Sequence, residues 1–254
     1  MLKNRIIGAL QIPSFGHGAA RSMAWYEDFV LSNARSYVEN GITAIKLQDE
    51  TVEAGPAQAR TLARTATLGA AMRREFPDLE LGIIVEAHDP VAAIAVADAC
   101  DAAFVRLKIF VGAMVNSGGT REALGPEAIA FRNRIGREDI QILADVHDRT
   151  AVPLTDVPNE MAAHWASRLG ADALVITGSS FDDTLDRIAR ARDMGIKTPT
   201  VIGGSVTAAN VTRALSAADM IVVSSALLRD GAADDAMDRW DPTKIRRFME
   251  AANQ

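Results

Sequence analysis

The sequence predicts a single (β/α)8 TIM barrel spanning residues 1–254. Three observations carry this expectation. The length of 254 residues matches the roughly 250 that eight strand–helix units occupy. Eight short runs rich in Ile, Val, Leu and Ala alternate with longer helical stretches, the pattern of parallel strands buried on both faces. The runs also begin in two alternating ways. The even ones follow the phrases ENGITAIKL, ACDAAFVRL, LGADALVIT and SAADMIVVS, and the odd ones open as KNRIIGAL, DLELGIIV, EDIQILAD and KTPTVIGG. Four odd/even pairs suit a closed barrel. An open doubly wound sheet would leave two edges to protect, and no Gly-x-Gly-x-x-Gly follows the first run.

In chain order, strands are expected at Ile6–Gln11, Ala44–Gln48, Leu81–Glu86, Ala103–Lys108, Ile140–Val146, Ala173–Thr177, Thr200–Gly203 and Met220–Ser224. Helical segments such as SMAWYEDFVLSNARSYVENG and GPAQARTLARTATLGAAMRREFP lie between them. The second ends in Arg-Arg and Pro, both helix stop signals. Irregular connections are expected at 12–21, 110–124 and 148–158. The middle one, FVGAMVNSGGTREAL, is long and Gly-rich, the composition of a substrate loop. Trp25, Met72 and Trp165 fall at helical spacings and are expected in the core, whereas the acidic run at 230–241 reads as solvated surface.

Hydrophobic residues make up 48% of the chain, enough for a sizeable core. No apolar run reaches a membrane span, and the opening MLKNRIIGALQIPSFG has no secretory h-region. The chain is therefore not expected to be an integral membrane protein. The one cysteine, Cys100, precludes an internal disulfide and suits a reducing cytoplasmic location. It precedes a strand, at the barrel end away from the mouth, and reads as packing. A net charge of −6 argues against nonspecific nucleic-acid binding, while leaving room for a local basic pocket. Helix faces rich in Ala and Met are compatible with a homo-oligomer.

Side-chain alternation points to the chemistry. Along a barrel strand one face looks inward and the other meets the helices, and a charge has no easy place against the helix layer. Polar residues come in i, i+2 pairs near strand ends: Lys46 and Gln48, Glu86 and His88, Arg106 and Lys108, Asp145 and His147. They are expected at the mouth, where this fold places active sites. Asp145, His147 or Glu86 would move protons, and Arg106 and Lys108 would hold an anion. Lys46 or Lys108 would form a Schiff base if neighbouring cations lowered its pKa. An interior salt-bridge network is the bland alternative. No cofactor is predicted. Glu86, His88, Asp145 and His147 leave a divalent metal open, although no motif of fixed spacing supports one.

The turns after the last strands form a second signal. VIGGSVTAAN places Gly203, Gly204 and Ser205 after the seventh strand, and Ser224 and Ser225 follow the eighth. Barrels of this class bind phosphate with these two loops and a helix N-terminus. Thr177 and Gly178, after the sixth strand, add further donors. The expected ligand is a small anionic molecule.

The segments ADV at 144–146, ADALVITG at 171–178, VIGGSVTAANV at 201–211, LLRDG, WDPTKIRRFMEA, FVRL with the following VGA, and LGIIVEAHD together resemble the BtpA family, also called BtpA/SgcQ. The similarity runs over nearly the whole chain and implies a barrel. It implies less about activity: one member is linked to photosystem assembly, and others sit among sugar-metabolism proteins. Asp145, Arg106, Thr177, Gly178, Gly203 and Asn210 match the family pattern. Gln11 replaces the usual His, Gln48-Asp49 the usual Glu-Asn, Arg149-Thr150 the usual Lys-His, Ser224 a Gly and Leu228 a Lys. Gln11, Gln48, Asp49 and Arg149, with His88, Arg106 and Thr177, are expected to contact substrate in a divergent member whose substrate has changed or whose reaction is lost. Two functions follow: a lyase or isomerase acting on a phosphorylated or polyhydroxylated metabolite, or a non-catalytic assembly protein that keeps the barrel as scaffold.

Overall fold

The computed structural model describes residues 2–16, 21–51 and 55–254. Its centre is a closed barrel of eight parallel strands in the order β1 (Ile6–Ile12), β2 (Ala44–Asp49), β3 (Glu80–Ile84), β4 (Phe104–Leu107), β7 (Gln141–Asp145), β9 (Ala173–Ile176), β10 (Thr200–Ile202) and β11 (Met220–Val223), with β11 returning to β1. Around it lie α1 (Met23–Val38), α2 (Ala59–Glu75), α3 (Ala92–Ala99), α4 (Gly125–Arg134), α5 (Asn159–Leu169), α6 (Phe181–Asp193), α7 (Val211–Ala217) and α8 (Pro242–Ala252). Local chemistry sets several helix ends. Ser22, Ser180 and Asp241 accept backbone N–H bonds at the starts of α1, α6 and α8, which satisfies donors that a helix N-terminus leaves unpaired. Gly170 ends α5 at φ 110°, a left-handed conformation that glycine adopts without strain.

Alternation sorts the strands into two cores. Ile7, Ala9, Ala44, Phe104, Leu143, Ala173, Val175, Val201, Met220 and Val222 pack together inside the barrel. Their strand neighbours Leu10, Ile45, Leu47, Val105, Ile142, Leu174, Ile176, Ile202 and Ile221 pack outward against the helices. The interior is tight where Phe104 lies over Gly82: a methyl group on Gly82 would overlap the Phe104 ring. Gly82→Ala is expected to destabilise the fold by about 1–3 kcal/mol through overpacking, seen as a lower midpoint in thermal denaturation.

The structure corrects three expectations. The Gly-rich stretch at 110–124 holds a hairpin, β5 (Met114–Asn116) and β6 (Gly119–Arg121), and β5 pairs with β8 (Val152–Pro153) from the next connection. These strands of two or three residues are too short to show periodicity. Trp165 is 42% exposed rather than core, and Trp240, inside the acidic run, is fully buried against Phe29 and Tyr37. Of the expected irregular stretch at 12–21, residues 17–20 lie outside the described residues. Cys100 is buried at the far end, where burial pushes its thiol up to about 11, so it is a poor nucleophile. No helix among the described residues is long and apolar enough to cross a membrane.

Candidate functional site at the barrel mouth

Above the apolar interior, seven of the eight barrel strands present a further inward residue. Counting by twos from the interior residues reaches Gln11 on β1, Lys46 and Gln48 on β2, Arg106 on β4, Asp145 on β7, Thr177 after β9, Gly203 after β10 and Ser224 after β11. Gln11 and Gln48 are register partners on β1 and β2. A cavity of about 450 Å³ opens here, lined by Gln11, Lys46, Gln48, Glu50, Glu86, Arg106, Lys108, Arg149, Gly203, Gly204, Ser205, Ser224 and Ser225, among others.

Its charged wall is ordered by hydrogen bonds. Arg106 donates to both oxygens of Asp145, Nε at 2.9 Å and Nη2 at 2.8 Å. This bidentate pair is geometrically specific and nearly buried, with side chains 12% and 4% exposed. Burial opposes the Arg106 charge, but the Asp145 carboxylate prevails and raises the pKa. Glu86 accepts from Lys108 at one oxygen and from Gln48 Nε2, at 3.1 Å, at the other. The Lys108 pKa is likewise raised: burial lowers it, and Glu86 more than compensates. Gln48 also donates to Glu50 at 2.7 Å.

Lys46 behaves in the opposite way. It is 3% exposed and donates to Gln48 Oε1. Burial, with the Arg106 guanidinium beside it, pushes its pKa down to about 7 against the pull of Glu86, Asp145 and Glu50. A large fraction of Lys46 is thus a neutral, nucleophilic amine near neutral pH.

The opposite wall is formed by the turn after β10 and by Ser224 and Ser225. Ser205 sits at φ 63°, a strained conformation for a non-glycine residue. Asn210 holds this turn, donating to Ser205 O at 3.1 Å and accepting from Thr207 N–H at 2.8 Å. The N–H groups of Gly204 and Ser205 meet no protein acceptor among the described residues. Gly203 is required here, because any side chain would strike the Thr177 hydroxyl, which is itself buried and meets no partner among the described residues. Ser224 donates to Gln11 Oε1 at 2.9 Å. Arg149 Nη1 lies 3.7 Å from where a Gly204 side chain would begin.

Several expected site residues lie elsewhere. His88 lines a side pocket with Asp89, Asn116 and Arg121. His147 lines another with Asn159, Gly178 and Arg187. Both follow the last residue of their strand, where strict alternation ends. Burial lowers the pKa of each, helped by Arg121 for His88 and by Arg187 for His147. Asp49, opposite in parity to Lys46 and Gln48, is fully buried, accepts from Thr51 N–H at 3.0 Å, and is pushed up to about 6 chiefly by burial. Both Asp145 oxygens accept hydrogen bonds from Arg106. Glu86, His88, Asp145 and His147 do not converge, and no cluster of three potential metal ligands occurs among the described residues. Sequence reasoning missed Glu50, Asp148 and Arg239, which also line the cavity. Glu50 was findable by carrying the Lys46–Gln48 spacing one step further.

Fold and site together define a (β/α)8 barrel with a polar cavity at the C-terminal ends of the strands. The chain belongs to the BtpA family, whose match covers residues 6–254. It is 30% identical over 175 residues to the photosystem I biogenesis protein BtpA of Synechocystis sp., covering 67% of this chain but only 59% of that relative's length. Among solved structures it is similar to one described as native KDPGal (TM-score 0.62, 15% identity, 100% of this chain and 96% of that one). It is also similar to phosphoribosylanthranilate isomerase from Thermotoga maritima (TM-score 0.55, 17% identity, 98% of each chain). At such identities the structural likenesses speak for the fold alone.

Proposed function

We propose that this chain is a lyase or isomerase acting on a small phosphorylated carbonyl metabolite, in an aldol-type cleavage or isomerisation that uses the Lys46 amine. The carrying observation is the buried Lys46 with its amine near pKa 7, facing a cavity whose far wall offers free backbone N–H groups and Arg149. The Lys46 nitrogen attacks the carbonyl carbon, water leaves, and the resulting iminium draws electrons from the adjacent C–C or C–H bond. Arg106 and Lys108 stabilise the charged oxygens that develop. The phosphate sits against Gly204, Ser205 and Ser225, a placement familiar from this fold. Lys108 is the poorer nucleophile, because Glu86 keeps it protonated.

A second reading, an assembly protein without turnover, is favoured by the name of the Synechocystis relative. A thermal-shift screen of phosphorylated aldehydes and ketones, followed by turnover assays on those that bind, separates the two. The enzyme reading predicts a stabilising compound that is consumed, with affinity about tenfold weaker in Arg149→Ala. No stabilisation by any phosphorylated carbonyl compound would remove it.

A further inference from the structure

We infer that Glu50 is the proton-transfer partner of Lys46; this rests on the amine reading above. Three carboxyl residues line the cavity among the described residues: Glu50, Glu86 and Asp148. Glu86 has one oxygen held by Lys108 and the other by Gln48. Asp148 has both oxygens held by the Thr150 hydroxyl, and one also by its N–H. Among the described residues Glu50 accepts from Gln48 at one oxygen and from no donor at the other, and its side chain lines the cavity. Asp145 is locked to Arg106, and the two mouth histidines face side pockets. Elimination therefore leaves Glu50.

Its position fits the work. Lys46 and Gln48 on β2 and Glu50, the first residue after it, follow at every second position, so Gln48 bridges amine and carboxyl: it accepts from Lys46 and donates to Glu50. The charged and polar groups around Glu50 are Lys46 and Gln48 of β2, Glu86 beyond the end of β3 and Lys108 beyond the end of β4. Burial first, then Glu86, raises its pKa, against Lys46, Gln48 and Lys108. A carboxylic acid that holds its proton closer to neutrality can give it to the departing carbinolamine hydroxyl and take one back on hydrolysis. In atom terms, the amine and carbonyl form a carbinolamine, Glu50 protonates its hydroxyl, water leaves, and the Glu50 carboxylate remains beside the iminium.

Pyridoxal 5′-phosphate, an aldehyde bearing a phosphate, serves as the probe. Imine formation is followed by absorbance, and its site is mapped by borohydride reduction and mass spectrometry. Glu50→Gln is expected to slow imine formation at Lys46 about 100-fold, with Glu50→Asp restoring most of the rate. The rate–pH profile should bend on both limbs in the parent protein and keep only the Lys46 limb in Glu50→Gln. Unchanged rates in Glu50→Gln, or a slower rate with both limbs intact, would overturn the Glu50 role while sparing the amine reading. Absence of any Lys46 imine in the parent protein would overturn both.

Discussion

Lys46→Met is expected to abolish turnover of any phosphorylated carbonyl substrate while leaving the fold as stable as before, or more so. Methionine fills nearly the same space but supplies no amine, so the loss should reach at least about 1000-fold, as for removal of a covalent nucleophile. Stability runs the other way, because the parent protein buries an amine next to the Arg106 guanidinium. The linkage has a definite sign. Unfolded lysine keeps its proton to about pH 10.4, whereas folded Lys46 loses it near 7. Between those values the unfolded chain binds more protons, so parent stability rises with pH. Lys46→Met lacks this rise. Its advantage, about 1 kcal/mol or more, should be largest at and below pH 7 and shrink toward pH 10. Urea denaturation at several pH values measures it. A variant that is less stable at every pH would contradict the placement of Lys46.

Asp145→Ala is expected to cost about 3–5 kcal/mol, because it strands the Arg106 guanidinium in a nearly buried site where the Asp145 carboxylate offsets burial first, ahead of Glu86 and Asp148. That corresponds to a fall of roughly 10 °C in melting temperature for a chain of this size. The second variant, Asp145→Ala with Arg106→Leu, should recover much of the loss, since it removes the orphaned charge as well. A double-mutant cycle reads the coupling directly. Asp145 also draws the Lys46 pKa upward while Arg106 lowers it. Asp145→Ala should therefore push the Lys46 amine lower still and extend its reactivity with aldehydes to more acidic pH.

The barrel was legible because its signal is repeated: eight apolar runs, each followed by a helix, leave few closed topologies. The mouth was legible for a related reason. Where a strand is regular, alternation alone puts Lys46, Gln48, Arg106 and Asp145 on the inner face. It fails where the strand stops. β7 ends at Asp145 and β3 at Ile84, so His147 and His88, each beyond a strand end, turn into side pockets, although Glu86 still reaches the cavity. Asp49 entered the expected site through family resemblance, against its own parity, and parity prevailed. The direction of the Lys46 shift depends on burial depth and on how near Arg106 comes, neither of which a linear sequence states. The β5–β6–β8 sheet escaped notice because its strands are too short to carry a period.

Borohydride trapping reads out a nucleophilic amine on Lys46 as a covalent adduct. The protein is incubated at pH 7 with glyceraldehyde 3-phosphate or dihydroxyacetone phosphate, reduced, digested and analysed by mass spectrometry. One dominant adduct is expected, on the peptide containing Lys46, absent from Lys46→Met and reduced by competing inorganic phosphate. An adduct spread over surface lysines with none on Lys46, or a dominant adduct on Lys108, would contradict it.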